Sequence, residues 1–294
     1  MRMKSGLLGL IAAAWVCAGN LPGRALAQDV SGLWDFADPA ASEARFRAAQ
    51  LRAVGDDRLI LETQIARSYV LRGDFAVART ILLGIEPSLA EAGIELRVRH
   101  ALEWGRSFSS SAHPDETQTH VSRETARNAY LRAFALARDA RLDDLAIDAL
   151  RMLAYVDSAP LDQIRWTDMA LDLMEQSAQH TVRRWEASLR NDRGNALHRL
   201  GRYREALDEF RRALAVRERS GRPASIRAAR WMVAWTLRYL GRTEEALAIQ
   251  LALASEAEAA GAPDRDVYQE LEYLYRSRHE HARADEYAAR RDAL

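Results

Sequence analysis

Gly194-Asn195-Ala196-Leu197-His198-Arg199-Leu200-Gly201-Arg202-Tyr203-Arg204-Glu205-Ala206 returns 40 residues later as Ala234-Trp235-Thr236-Leu237-Arg238-Tyr239-Leu240-Gly241-Arg242-Thr243-Glu244-Glu245-Ala246. The same offset links Ala154, Gly194 and Ala234, and it links Ala126, Trp166, Ala206 and Ala246. Four positions further on it links Tyr130, Ala170, Phe210 and Gln250, and seven further on Ala133, Leu173, Ala213 and Leu253. Small residues recurring at fixed places mark points where helices approach closely, as they must when helical hairpins stack. Each unit reads as two helices. In the clearest, Ala187 to Leu200 forms the first, Gly201 ends it in a left-handed turn, and Tyr203 to Val216 forms the second, with Ala206, Phe210, Ala213 and Leu214 on one face. Ser220-Gly221-Arg222-Pro223 then breaks the chain. A single hairpin cannot bury its apolar face, so the units must stack.

These residues resemble the tetratricopeptide repeat family. Its pattern of a small residue in the first helix, a turn glycine, an aromatic, and then Ala, aromatic and Ala is met by Gly194, Gly201, Tyr203, Ala206, Phe210 and Ala213. Ala66, Tyr69, Gly73, Phe75, Ala78 and Leu82 repeat it. The 40-residue period is similar to the long-helix variety of the family. The resemblance implies an all-α, right-handed superhelical solenoid of antiparallel hairpins over residues 40–291. About six hairpins are expected, the first missing or half-formed, after a lead-in at 28–39 whose Trp34 and Phe36 pack on the first helix. Glu270 stands where a small residue is due, a departure suited to a terminal cap, and 292–294 form a tail. A loop insertion at 107–119 stretches the spacing from Ala78 to Ala126 to 48 residues.

Composition agrees and excludes. The 294 residues hold 42 basic and 42 acidic side chains, a balance that provides no field for gripping nucleic acid. Only 7% are aromatic, and 15 Gly and 7 Pro leave few turns, which favours helices. Residues 1–27 read as a cleaved export signal: Arg2 and Lys4 precede an apolar run from Gly6 to Ala18, and Ala25-Leu26-Ala27 offers small residues to signal peptidase. Val16-Cys17-Ala18 is a rival site, and an uncleaved anchor or a lipoprotein the alternative. Removal takes Arg2, Lys4 and Arg24 and no acid, leaving a weakly acidic chain in the periplasm or outside the cell, not inserted in the membrane. It also takes Cys17 and Lys4, the only Cys and Lys, which excludes disulfides, thiolate nucleophiles, Schiff bases and the Gly-Lys-Ser/Thr phosphate loop.

Catalytic and metal signatures are weak, so neither an enzyme nor a cofactor is expected. His279-Glu280-His281 lacks the spacing that puts two imidazoles on one helical face. His113 and His120, with Asp115 and Glu116 between them, lack a third or fourth ligand. Binding is better supported. The resemblance places groove positions three before the small residue and one, four and five after it. These are Arg151, Tyr155 and Ser158; Asn191, Asn195, His198 and Arg199; and Trp231, Trp235, Arg238 and Tyr239. Asn can bond both groups of an extended peptide backbone, Arg takes carboxylates in bidentate fashion, and Trp supplies anchoring area. The same residues read as ordinary inter-helix packing and surface solvation if they do not face a groove. The expected function is a non-catalytic scaffold or adaptor of the cell envelope that binds another protein or an extended peptide segment. The alternative is a peptide or small-solute sensor working with a separate signalling partner.

Overall fold

The computed structural model describes residues 30–294; the expected export signal and its two candidate cleavage sites lie outside them. Among the described residues thirteen α-helices follow one another: α1 (Pro39–Gln50), α2 (Gly55–Leu71), α3 (Phe75–Ile85), α4 (Ile94–Arg106), α5 (His120–Asp139), α6 (Asp143–Val156), α7 (Pro160–Gln176), α8 (Glu186–Arg199), α9 (Tyr203–Ser220), α10 (Pro223–Tyr239), α11 (Thr243–Ala259), α12 (Arg265–Ser277) and α13 (His281–Asp292). The last twelve form six hairpins, and α1 precedes them as a lone helix. Among the described residues no helix is long and apolar enough to cross a membrane.

One turn recurs. Gly201 takes φ 73°, and the next amide, Arg202 N–H, reaches back to the Leu197 carbonyl at 3.0 Å. This closes the last turn of α8 with the left-handed cap that glycine adopts without strain. Gly73 and Gly241 repeat the cap in their hairpins. Arg141 and His279 adopt it with side chains at φ 55° and 61°, a conformation that costs a non-glycine residue about 1 kcal/mol. Helix α9 runs four residues past the expected Val216, because Arg217 to Ser220 favour or tolerate a helix and Gly221 at φ 68° supplies the stop. Pro223 then sits at the start of α10, where its missing N–H costs nothing.

The small residues let helices meet closely. A Cβ on Gly194 would lie 2.7 Å from the Phe210 ring, and one on Gly105 would lie 2.5 Å from the Tyr130 ring. Each pair joins the first helix of a hairpin to the second, α8 to α9 and α4 to α5. Ala126, Ala206 and Ala246, at equivalent places in three hairpins, are fully enclosed, and so is Ala133 two turns after Ala126. Trp34 stacks on Phe36 and meets Phe46 of α1 edge-on, both at 4.9 Å, so the lead-in packs on the first helix. Glu270 does not meet water as a residue on the outer face of a terminal cap would: it is buried and holds Arg238 of α10 in a bidentate pair at 2.7 and 2.9 Å.

The first helices α2, α4, α6, α8, α10 and α12 form one row, and arginine–carboxylate pairs cross it. Arg67 faces Glu103 at 3.9 Å, Arg106 reaches Asp148 at 2.6 Å, Arg151 approaches Asp192 at 3.5 Å, and Arg238 grips Glu270. The ladder misses one step, α8 to α10, where the His198 ring stacks on Trp235 at 3.6 Å. Buried ion pairs add little net stability but penalise any register that separates them, so the row carries its own alignment marks.

Candidate functional site

A cavity of about 410 Å³ opens where α2, α4, α6 and α8 converge. Arg67, Arg106, Arg151 and Arg199 line it, one from each helix, together with Asp148, Tyr155, Asp192 and Asn195. Arg67 follows the small residue Ala66, Arg106 follows Gly105, and Asn195 follows Gly194, so one helical position recurs around the wall. Sequence reasoning applied that rule from Ala154 onward and stopped there. Carrying it back to Ala66 and to Gly105, whose close approach to Tyr130 marks it as the missing small residue, would have found both arginines.

The insertion supplies the roof. Tyr130 donates its hydroxyl to the Ser109 carbonyl at 2.8 Å, and Tyr155 donates to the Ser110 carbonyl at 2.9 Å while accepting from Gln118 Nε2 at 2.8 Å. His113 stacks on Phe75 at 3.6 Å, with Nε2 against the Ser107 carbonyl at 3.3 Å and Nδ1 beside the Ser110 hydroxyl at 3.1 Å. His113 is thus enclosed and His120 exposed, and they do not converge on one site. Ser110, Ser111 and Ala112 are thereby carried to the cavity edge.

The charges inside are unevenly matched. Arg106 is saturated by Glu103 and Asp148 at 2.5 and 2.6 Å. Burial alone would raise the Asp148 carboxyl, yet Arg106 and Arg67 hold it down at about 2. Arg67 makes no hydrogen bond among the described residues; burial, with repulsion from Arg106, presses its guanidinium toward the neutral form. Burial also raises Asp192, which Arg151 attracts only at 3.5 Å. Arg151 leaves its Nε enclosed without a partner and stacks its guanidinium over Trp185 at 5.0 Å. Arg199 is exposed and bridges Gln163 Oε1 and the Ser158 carbonyl at 2.9 and 3.1 Å, while the half-buried Asn195 amide is unbonded. A hydrogen-bonding chain segment or an anion entering here would meet donors that the fold has not used.

The other expected site residues separate from these. Helix α8 is a partition: Asp192, Asn195 and Arg199 face the first cavity, whereas Asn191 lines a second one with Trp231. Between them runs an aromatic strip in which Trp231 stacks on Trp235 at 5.7 Å, Trp235 on His198, and Tyr239 meets both His198 and Tyr203. His198 is buried in that strip, and burial, with Arg238 nearby, lowers its pKa to about 4, so it is a neutral packing residue at ordinary pH. Arg238 is spent on Glu270 and stacks over Tyr239 and Tyr273 at 4.6 and 5.2 Å. Tyr239, at 44% exposure, is the strip's open end.

Residues 185–253, which span α8 to most of α11, match the family model for the tetratricopeptide repeat. That stretch carries the tetratricopeptide repeat. The repeat array is also similar to solved structures. One, described as the apo form of RapI, is 12% identical with a TM-score of 0.68, over 89% of this chain and 72% of that one. Another, a Rap protein complexed with Competence and Sporulation Factor, is 13% identical with a TM-score of 0.54, over 90% and 75%. At such identities the likeness is one of fold. No curated protein matches the repeat chain.

Proposed function

We propose that this protein is a non-catalytic adaptor that binds an extended segment of another protein along its row of first helices, with the arginine-lined cavity as the principal contact. The carrying observation is the convergence of Arg67, Arg151, Asn195 and Arg199 from α2, α6 and α8 on one opening, with donors left unbonded there. A Rap protein of similar fold is complexed with a named factor, which fits the reading of a binding array. The charged start and short apolar run of residues 1–27 support a site of action in the cell envelope. Co-purification from envelope extract, with the wild type and Asn195→Ala/Arg199→Ala compared at equal folded fraction, tests the proposal. One protein enriched by the wild type and lost from the variant is the expected result. Identical captures would refute it.

A further inference from the structure

The second cavity, about 450 Å³, is walled by α8, α9, α10, α11 and the start of α12, and it falls within the ~300–1,000 Å³ range typical of ligand pockets. Alanines make the space. Ala224, Ala228 and Trp231 lie on one face of α10, seven, three and zero residues from the tryptophan, so two short side chains precede the ring that forms the floor. Ala257 of α11 and Ala260 beyond it recede in the same way on the facing side. Leu253 and Val267 complete an apolar base beside Trp231.

The rim is charged, and its two sides differ in sign. Arg217 of α9 and Arg227 of α10 stand on one side, and neither makes a salt bridge among the described residues. Burial presses Arg217 toward its neutral form, and Asp192 only partly offsets this. Asp264 and Asp266 stand at the start of α12 on the other side. Asp264 uses Oδ1 to cap α12, accepting from Asp266 N–H at 2.9 Å and Val267 N–H at 3.3 Å, and its other oxygen is unbonded; Asp266 is unpaired. Some exposed arginines and carboxylates of this molecule pair directly, as Arg242 and Glu245 do at 2.6 Å. Here two cations and two anions stay apart across an apolar hollow.

We infer that this pocket binds a zwitterionic solute, a free amino acid or short peptide with an apolar side chain. The carboxylate meets Arg217 and Arg227, the ammonium meets Asp264 and Asp266, and the side chain rests on Trp231 and Leu253. The site lies across α8 from the first cavity and stands or falls independently of it.

Calorimetric titration of the full chain with Leu-Leu, N-acetyl-Leu-Leu, Leu-Leu amide and free leucine tests the assignment. Leu-Leu or leucine should bind, the tighter of the two identifying peptide or amino acid as the source, and blocking either end should weaken binding at least tenfold. Arg227→Gln should make acid and amide bind alike, and Asp266→Asn should do the same for free and acetylated amines. Both residues are exposed, so melting should be unchanged. Ala228→Phe should fill the hollow and abolish binding while Asn195→Ala leaves it intact. Absence of binding by both Leu-Leu and leucine at millimolar concentration, or equal binding of the blocked peptides, would overturn the proposal.

Discussion

Gly194→Ala isolates the feature on which the stack depends. In an open helix the change gains about 1 kcal/mol of propensity. Here the added Cβ would lie 2.7, 2.9 and 3.0 Å from three carbons of the Phe210 ring, closer than carbon atoms tolerate. Phe210 is 1% exposed, with enclosed neighbours such as Ala206 and Ala213, so the ring has no space to retreat into. Overpacking of this kind costs about 1–3 kcal/mol, and the crowding of three atoms puts it at the upper end. Against the propensity gain, the net loss should be about 1–2 kcal/mol, or roughly 3–6 °C in a circular-dichroism melt. Gly84, in α3, is the control: a Cβ there meets nothing within 4 Å, so Gly84→Ala should stabilise by about 0.5–1 kcal/mol. Phe210→Leu removes the clash, and Gly194→Ala added to it should cost less than in the wild type, a coupling of about 1–2 kcal/mol. A Gly194→Ala protein that melts higher, as Gly84→Ala should, would refute the close approach of α8 to α9.

Ala206→Leu should cost roughly 1–3 kcal/mol by overpacking a fully enclosed position, whereas Arg211→Leu, on the exposed side of α9, should be nearly neutral in the same melts. Arg238→Ala strands the buried Glu270 carboxylate and should cost about 3 kcal/mol, much of it recovered when Glu270→Gln is added, as denaturant titration would read. His198 has a pKa of about 4 folded against about 6.5 unfolded, so the unfolded chain binds the extra proton between those values. Stability should therefore fall as pH drops from 6.5 to 4, by on the order of 1–2 kcal/mol after solvent screening, and His198→Phe should flatten that part of the profile. His100 and His113, lowered by burial, act in the same direction. Asp148 acts lower, its stabilisation being lost only as pH falls from about 3.8 through about 2.

The hairpin lattice was legible because its requirements fall on particular residue types. A left-handed cap calls for Gly201 and Gly241, and a close helix crossing calls for Gly194 opposite Phe210; each leaves a mark at a fixed interval. Where other residues bear the same geometry the marks fade. Arg141 and His279 take the left-handed turn without being glycine, and Gly105 lies beyond the 40-residue count because the insertion displaces it. The groove rule named Arg151, Tyr155, Asn195 and Arg199, which line one cavity, but it could not say that Arg238 is consumed by Glu270, a partner 32 residues away that spacing alone does not single out. Nor could it separate Asn191 from Asn195, since one helical turn apart they seem to share a face while α8 in fact divides two cavities. The second cavity was invisible for a different reason: it is made by alanines, and a search for chemistry passes over side chains that do nothing except leave room.

Site-specific photocrosslinking tests the central claim, that the partner lies along the row of first helices. A benzoylphenylalanine placed at Asn195, at the first cavity, and another at Arg211, on the exposed side of a second helix, differ in little except which surface they watch. Irradiation in the producing cell should yield one discrete adduct from position 195, competed away by an excess of unlabelled wild-type protein, and none from position 211. An adduct formed equally from both positions, or from 211 alone, would contradict it.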